Sequence, residues 1–282
     1  MLIKLGLLAA AAVPVIGYAL SIPVLIRYEK VHFNNLPSHL RGFKILHIAD
    51  FHTRYRHKKH IDIWSFLCGL DVDMVAFTGD ILLDHPAQLL PHKEGLQNLA
   101  KKIPCFYVDG NHEMKCHHEV RAMLEKLGFT VLYNQLGNFA LGQMDGSSPV
   151  VSVVGFRDYE HLRNSRFAGV DSMLRAMEKS SNFHIILSHQ PQTFELLDER
   201  IKSALMLVGH THGGQVRLPF APTLFAPGQG ILPKYGDGWH EKHHGCHKMF
   251  ISRGVGSTHF PLRIFNPPEV AIIELQRSEG ED

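Results

Sequence analysis

Five short polar clusters interrupt an otherwise apolar pattern: Asp50-Phe51-His52, Gly79-Asp80, Gly110-Asn111-His112-Glu113, Ser188-His189 and Gly209-His210-Thr211-His212. Each alone is a weak sign, since a histidine after a strand is commonly a solvated surface residue. Together they supply carboxylate, amide and imidazole donors, a set that suits two borderline divalent ions (Mn, Fe or Zn) and not Ca or Mg alone. The spacing adds geometry. In extended chain residues i and i+2 point the same way, so Asp50 and His52 can address one site, as can His210 and His212. Glycines 79, 110 and 209 permit sharp turns and close backbone approach just before a donor. Two ions ~3.5–4 Å apart need a bridging carboxylate to offset their repulsion, and they clamp the attacking and leaving oxygens of a displacement. The chemistry expected is metal-assisted hydrolysis.

Each cluster stands where an apolar run ends. Residues 44–49, 73–78 and 104–108 read as strands, alternating with helical spacing over 61–70, 88–102 and 115–127. That alternation implies a parallel sheet with helices packed on it. Further strands are expected at 131–133, 150–155, 183–188, 204–208, 249–253 and 270–275, with helices near 170–179 and 192–200. Residues 219–248, rich in Gly, Pro and His, read as one long loop. In open α/β sheets ligands gather beyond the carboxyl ends of strands, so the five clusters can converge on one pocket.

The ordered set D-x-H, GD, GNH[ED], H and GHTH resembles the calcineurin-like metallophosphoesterase superfamily, over residues 44–275. The run Gly209-His210-Thr211-His212-Gly213-Gly214-Gln215-Val216-Arg217-Leu218-Pro219 is narrower. With Leu232-Pro233-Lys234-Tyr235, Ser252-Arg253-Gly254-Val255-Gly256 and Pro261-Leu262-Arg263, it is similar to a bacterial membrane-associated branch. That branch includes YkuE/YaeI-type phosphodiesterases and a UDP-2,3-diacylglucosamine pyrophosphatase. The resemblance implies a four-layer α/β/β/α sandwich. It also implies that Asp50, His52 and His212 hold one metal, that Asn111, His189 and His210 hold a second, and that Asp80 bridges them. His112 is the implied catalytic group, protonating the leaving group or bracing a phosphoryl oxygen. The ions would activate water and offset the charge gathering on phosphorus-bound oxygens. Thr53-Arg54-Tyr55 departs from the commoner D-x-H-x-G form, which bears on loop shape and not on the ligands.

Three neighbours of these clusters have two readings each. Arg157 can reach a substrate phosphate through a bidentate contact or form a surface ion pair. Asp109 is a turn residue or a group orienting a metal-bound side chain. The apolar residues Phe220, Leu224, Phe225, Ile231 and Leu232 either pack as a lid or make an interfacial contact that admits an acyl chain.

With 282 residues, 45% hydrophobic and 20% charged, the chain can bury a sizeable core. Lys+Arg 29 against Asp+Glu 27 leaves +2, and no basic stripe with interleaved aromatics points to nucleic acid. The 21 histidines are the compositional outlier, and imidazole is the commonest metal ligand. Four cysteines without CxxC pairing read as free thiols.

From residue 5 to 26 no charge occurs, between Lys4 and Arg27. A spanning helix needs ~20 apolar residues, and Pro14 and Pro23 are tolerable within one. The run is expected to be an uncleaved single-pass anchor in the bacterial inner membrane. The alternatives are a signal peptide cleaved near Ala19-Leu20-Ser21 and a buried core helix. The positive-inside count, which one residue decides, favours a cytoplasmic body. The expected organisation is an anchor (1–27), a polar linker (28–42), a metallophosphoesterase domain (43–276) and a polar tail (277–282). The expected function is hydrolysis of a phosphodiester or pyrophosphate bond in a membrane lipid precursor. The alternatives are a phosphomonoesterase or nucleotide phosphodiesterase on a soluble substrate, and a non-catalytic metal-stabilised membrane scaffold.

Overall fold

A computed structural model describes residues 18, 21, 23–53, 63–140, 150–157, 170–217, 223–257 and 263–278. The first strands are β1 (Leu25–Phe33), β2 (Lys44–Ile48), β3 (Met74–Thr78), β4 (Cys105–Val108) and β5 (Thr130–Val131). Next come β6 (Gln135–Ala140), β7 (Val150–Gly155), β8 (His184–Leu187) and β9 (Ala204–Val208). The last are β10 (Phe225–Ala226), β11 (Gly230–Ile231), β12 (Gly238–Lys242), β13 (His247–Ile251) and β14 (Glu269–Arg277).

Twelve of these strands form two six-stranded sheets, ordered β1-β14-β2-β3-β4-β5 and β12-β13-β9-β8-β7-β6; β10 and β11 form a separate hairpin. Strands β2 to β5 pair in parallel, as do β7, β8, β9 and β13. The sheets are nonetheless mixed, not purely parallel. Strand β14 runs antiparallel to β2, and edge strands β6 and β12 run antiparallel to β7 and β13. An antiparallel neighbour needs only a short connection, whereas a parallel one needs a crossover.

Period-two alternation sorts the side chains into layers. Ile45 of β2 faces the apolar core shared by the two sheets, with Met74, Ala76, Ile185, Leu187, Leu205 and Leu207. Leu46 and Ile48 face outward, where α1 (Ile63–Cys68), α2 (Lys93–Lys102) and α3 (His117–Lys126) cover the first sheet with Trp64, Leu67, Leu96, Leu99, Val120 and Leu124. Helix α4 (Val170–Lys179) and the 3-10 turn Pro191–Leu196 cover the second sheet with Met173, Met177 and Phe194. Helix, sheet, sheet and helix therefore stack in four layers.

The structure departs from the sequence reading in several places. Residues 28–42, expected as a linker, hold most of β1 and the 3-10 turn Ser38–Leu40; Val31, Phe33, Leu36 and Leu40 enter the inter-sheet core. Residues 25 and 26, expected to end a membrane span, already pair with β14. Strand β1 is an edge strand buried only toward its end, so its polar half looks like linker. Residues 219–248 are not one loop but contain β10, β11, β12 and the start of β13. Pairing with β13 makes a strand of the sequence GWHEK, and neighbour pairing outweighs intrinsic strand preference. The helix expected at 88–102 is a 3-10 turn, Pro86–His92, followed by α2, because Pro91 lacks the N–H an α-helix needs. The helix expected at 192–200 is only the turn Pro191–Leu196.

Among the described residues no helix is long and apolar enough to cross a membrane. Residues 1–17, most of the expected anchor, lie outside the described residues, as do Arg54, Tyr55, Phe220, Pro261 and Leu262.

Candidate metal centre

The sequence clusters lie at the carboxyl ends of five strands from both sheets. Asp50 and His52 follow β2, Asp80 follows β3, and Asn111 and His112 follow β4; His189 follows β8, and His210 and His212 follow β9. The chain turns sharply at each. Asp50, His52, Asp80, His210 and His212 all have φ between 49° and 70°, a left-handed backbone that L side chains adopt rarely and at a cost of ~1–3 kcal/mol each. Surrounding hydrogen bonds hold these conformations. The His52 amide donates to the Asp80 carbonyl (2.9 Å), Gly209 to His189 (3.0 Å), and Gly256 to Asp50 (2.7 Å). Two glycines are sterically required. At Gly79, with φ +82°, a Cβ would stand 2.6 Å from the His189 ring and 2.7 Å from Gly110 Cα, and a Cβ at Gly110 would overlap the Asp80 carboxylate.

These turns bring the predicted donors together. Three groupings have ligand atoms close enough to share an ion: Asp50, His52 and His212; Asp80, His189 and His210; and His52, Asp80 and His112. The Asp80 carboxylate stands between them. Its Oδ1 accepts from the His112 amide at 2.9 Å. Its Oδ2 lies 3.2 Å from His189 Nε2 and 3.8 Å from His52 Nε2. One oxygen thus faces both histidine groups. Asn111 Oδ1 lies 3.0 Å from His189 Nε2 and 2.9 Å from His210 Nδ1. His52 Nε2 and His212 Nε2 approach to 3.2 Å.

The outer edges of the rings decide what the inner edges can do. His52 Nδ1 lies 3.2 Å from the Leu82 carbonyl, and His189 Nδ1 2.9 Å from the Thr78 carbonyl. His112 Nδ1 meets the Leu83 carbonyl. A carbonyl only accepts, so each Nδ1 carries the proton and each Nε2 turns a lone pair inward. Lone pairs of nitrogen and carboxylate oxygen then point at one another in a water-poor space, an arrangement that cations stabilise. The donor set fits a pair of divalent ions, and carbonyl bonds of this kind fix metal-binding imidazoles in place.

Titration behaviour agrees with this. Burial holds His52 down to about 4 and His210 to about 3, and keeps His212 well below the usual imidazole range. Neutral imidazole is the form that binds metal. Burial, helped by Asp80, pushes Asp50 up to about 7.

Other residues shape the site through contacts that their sequence positions do not reveal. Glu113 is fully buried, and its carboxylate accepts from the amides of Asp80 (2.8 Å), Gly110 (2.8 Å) and Leu82 (3.2 Å). It staples the loop after β3 to the loop after β4. Its place three residues after Gly110 is the spacing of a capping box, a recognisable sign. Arg263 is buried and donates to the carbonyls of Arg253 and Gly254 at 2.8 and 3.3 Å. It thereby braces the loop whose Gly256 binds the Asp50 carbonyl. Asn266 donates to the carbonyls of His212 (2.6 Å) and Gln215 (3.3 Å); no local pattern marks it. Asp109 is buried at the end of β4 but belongs to none of the metal-capable groupings among the described residues. Arg157 follows β7, where its guanidinium lies over the Tyr133 ring at 4.3 Å.

A family model described as calcineurin-like phosphoesterase matches residues 43–214. The chain is 29% identical over 253 residues to the uncharacterised metallophosphoesterase YkuE of Bacillus subtilis, covering 86% of this chain and 82% of that one. It is 30% identical over 261 residues to phosphodiesterase YaeI of Escherichia coli, covering 89% and 87%. A metallophosphoesterase of Helicobacter pylori is 32% identical over 206 residues, but the chain spans about half (51%) of that protein's length.

Proposed function

This chain belongs to the calcineurin-like phosphoesterase family, and from that premise we propose that it hydrolyses a phosphodiester or pyrophosphate bond in a membrane lipid precursor. The reaction class rests on one observation above the others: the two histidine groups share the single carboxylate oxygen Asp80 Oδ2. In this reading Asp50, His52 and His212 would hold one divalent ion, Asn111, His189 and His210 would hold the other, and Asp80 would serve both. Mn, Fe or Zn suits such mixed nitrogen and oxygen donors. When bound, the ions supply Lewis acidity, lowering the pKa of attacking water and offsetting phosphoryl charge.

The chain's own residues supply the rest. His112 carries its proton on Nδ1, against the Leu83 carbonyl, and presents Nε2 to the cluster 3.9 Å from Asp80 Oδ2. It remains partly exposed while His52 and His189 are fully buried. With a proton taken from solvent on that Nε2, His112 would act as general acid and give it to the departing oxygen. Arg157, on the same end of the sheets, is the proposed contact for a distal substrate phosphate.

The diester preference is supported by the likeness to phosphodiesterase YaeI. The lipid setting is supported by the uncharged run that starts at residue 5 and leads into β1, read as a membrane anchor. The test compares three substrates with Mn- or Zn-loaded full-length protein: bis-p-nitrophenyl phosphate, a nucleoside-diphosphate lipid and p-nitrophenyl phosphate. The expected order places the lipid pyrophosphate first and the monoester last, and His112→Ala lowers every rate by ~10²-fold or more while metal content stays unchanged. No turnover on any phosphoester would sink the hydrolase reading, and a preference for the monoester would sink the substrate reading.

A further inference from the structure

The β10–β11 hairpin is the most exposed apolar feature among the described residues. Ile231 is 81% exposed, Leu232 66% and Phe225 54%, and Leu224 and Val216 are also open. Residues 223–232 carry no charge. The hairpin lies beside the metal centre. A Cβ at Gly228, in its turn, would be 3.7 Å from Nε2 of His210, and a Cβ at Gly214, two residues past His212, would be 2.6 Å from the Phe225 carbonyl oxygen of β10.

A second apolar patch lies on the same end of the molecule. Leu25, Ile26 and Tyr28 of β1 are exposed, and the Leu25 amide is bound to the Pro268 carbonyl at 2.8 Å. The uncharged run at 5–26 meets the fold here, for Ser21 Oγ accepts from the Asn266 amide at 2.8 Å. That is the same Asn266 that binds the His212 carbonyl. A chain of ion pairs, Arg27–Glu269–Arg253–Asp237–Arg217, runs between the two patches.

We infer that the β10–β11 hairpin and the first half of β1 form one surface that seats on a phospholipid bilayer, setting the metal centre at the membrane–water boundary. Three observations select a bilayer over a protein partner. The hairpin is short, uncharged and aliphatic with one phenylalanine, which suits shallow entry among acyl chains. The uncharged run at the amino terminus enters the fold at this face, with Ser21, Leu25 and Ile26 already bound to the body. One asparagine links that entry point to a candidate metal ligand, so the metal end cannot lie far from the anchored segment. The inference rests on the anchored reading of residues 5–26 and goes beyond it, because an anchor alone leaves the body free to tumble.

The test places a fluorescent reporter on the hairpin. Full-length protein carrying Ile231→Trp is reconstituted with vesicles of phosphatidylcholine and phosphatidylglycerol, with and without acyl-chain bromination. Asn182→Trp, at the opposite end of the sheets, is the control, and the emission of the unsubstituted chain, with Trp64 and Trp239, is subtracted. The expected result is co-flotation of both variants with vesicles and bromine quenching of the I231W emission but not of N182W. Co-flotation with equal quenching, or none, at the two positions would overturn the docking surface while leaving the anchor intact. Failure to co-float would overturn both. Shielding of I231W in detergent through a dimer that Ile231→Asp abolishes would assign the hairpin to a second copy of the chain, also overturning the inference.

Discussion

Two sets of buried or half-buried histidines occupy opposite ends of the sheets, and they differ in what their inner nitrogens meet. At the carboxyl ends, His52, His189, His210 and His212 share space with Asp50, Asp80 and Asn111. At the amino ends, His184 begins β8 and His247 begins β13. Burial is the leading cause of lowered basicity in both sets: it holds His52 down to about 4 and His184 to about 4. The distal rings, however, meet neutral partners, with His184 Nδ1 2.8 Å from Ser152 Oγ and His247 Nε2 3.0 Å from the Asp198 carbonyl. Neither belongs to a metal-capable grouping among the described residues. Burial and a depressed imidazole are therefore common to both ends. Among the described residues, carboxylate and imidazole lone pairs converge on one another only at the carboxyl ends.

If that contrast is right, substitutions at the two ends must separate metal content from stability. The largest effect is expected from Asp80→Ala, which removes the oxygen shared by both histidine groups. Metal analysis should find both sites depleted, and diester hydrolysis should fall by roughly 10³-fold or more. Full metal occupancy in that variant would break the comparison.

A smaller effect is expected from Glu113→Ala, which leaves three buried amides without their acceptor at a cost of ~1–3 kcal/mol each. Metal affinity should fall ~10–100-fold because the loops after β3 and β4 lose their common support. Glu113→Gln, which retains one acceptor oxygen, should lose less. Titration calorimetry with Mn checks the order, and equal affinities in all three proteins would remove Glu113 from the site's support.

The smallest effect concerns pH. His184 titrates near its ordinary value of 6.5 when unfolded but at about 4 when folded. Between those values the unfolded chain takes up a proton that the folded chain refuses, so stability is full above pH 6.5 and declines as the pH falls toward 4. Melting of the metal-free protein should show this decline, and His184→Gln should flatten it by roughly a few °C without changing metal content. A His184 variant that lost metal would show the two ends to be coupled.

Much of the site was legible because its chemistry is written locally. The pairs Asp50/His52 and His210/His212 and the glycines before Asp80 and Asn111 announced both ligands and turns, and the structure brings all of these donors together. The strands that deliver them are short apolar runs with clear ends. Strand β12 was not legible, because GWHEK becomes a strand through pairing with β13. Nor was β1, whose residues 25–30 are exposed or half-buried and become a strand by pairing with β14. Glu113 was visible as a residue but not as a staple, since its three donors come from two separate loops.

The sequence by itself determined the donor types, the order of the motifs and the apolar alternation that buries the sheets, because these depend on chemical identity and on periods of two or three to four residues. Only the tertiary structure decided that Asp80 Oδ2 faces both histidine groups, that three Nδ1 protons are spent on carbonyls, and that Asn266 joins the amino-terminal segment to His212. Each depends on residues far apart in the chain coming within 3.8 Å of one another, and a local pattern carries no information about such a meeting.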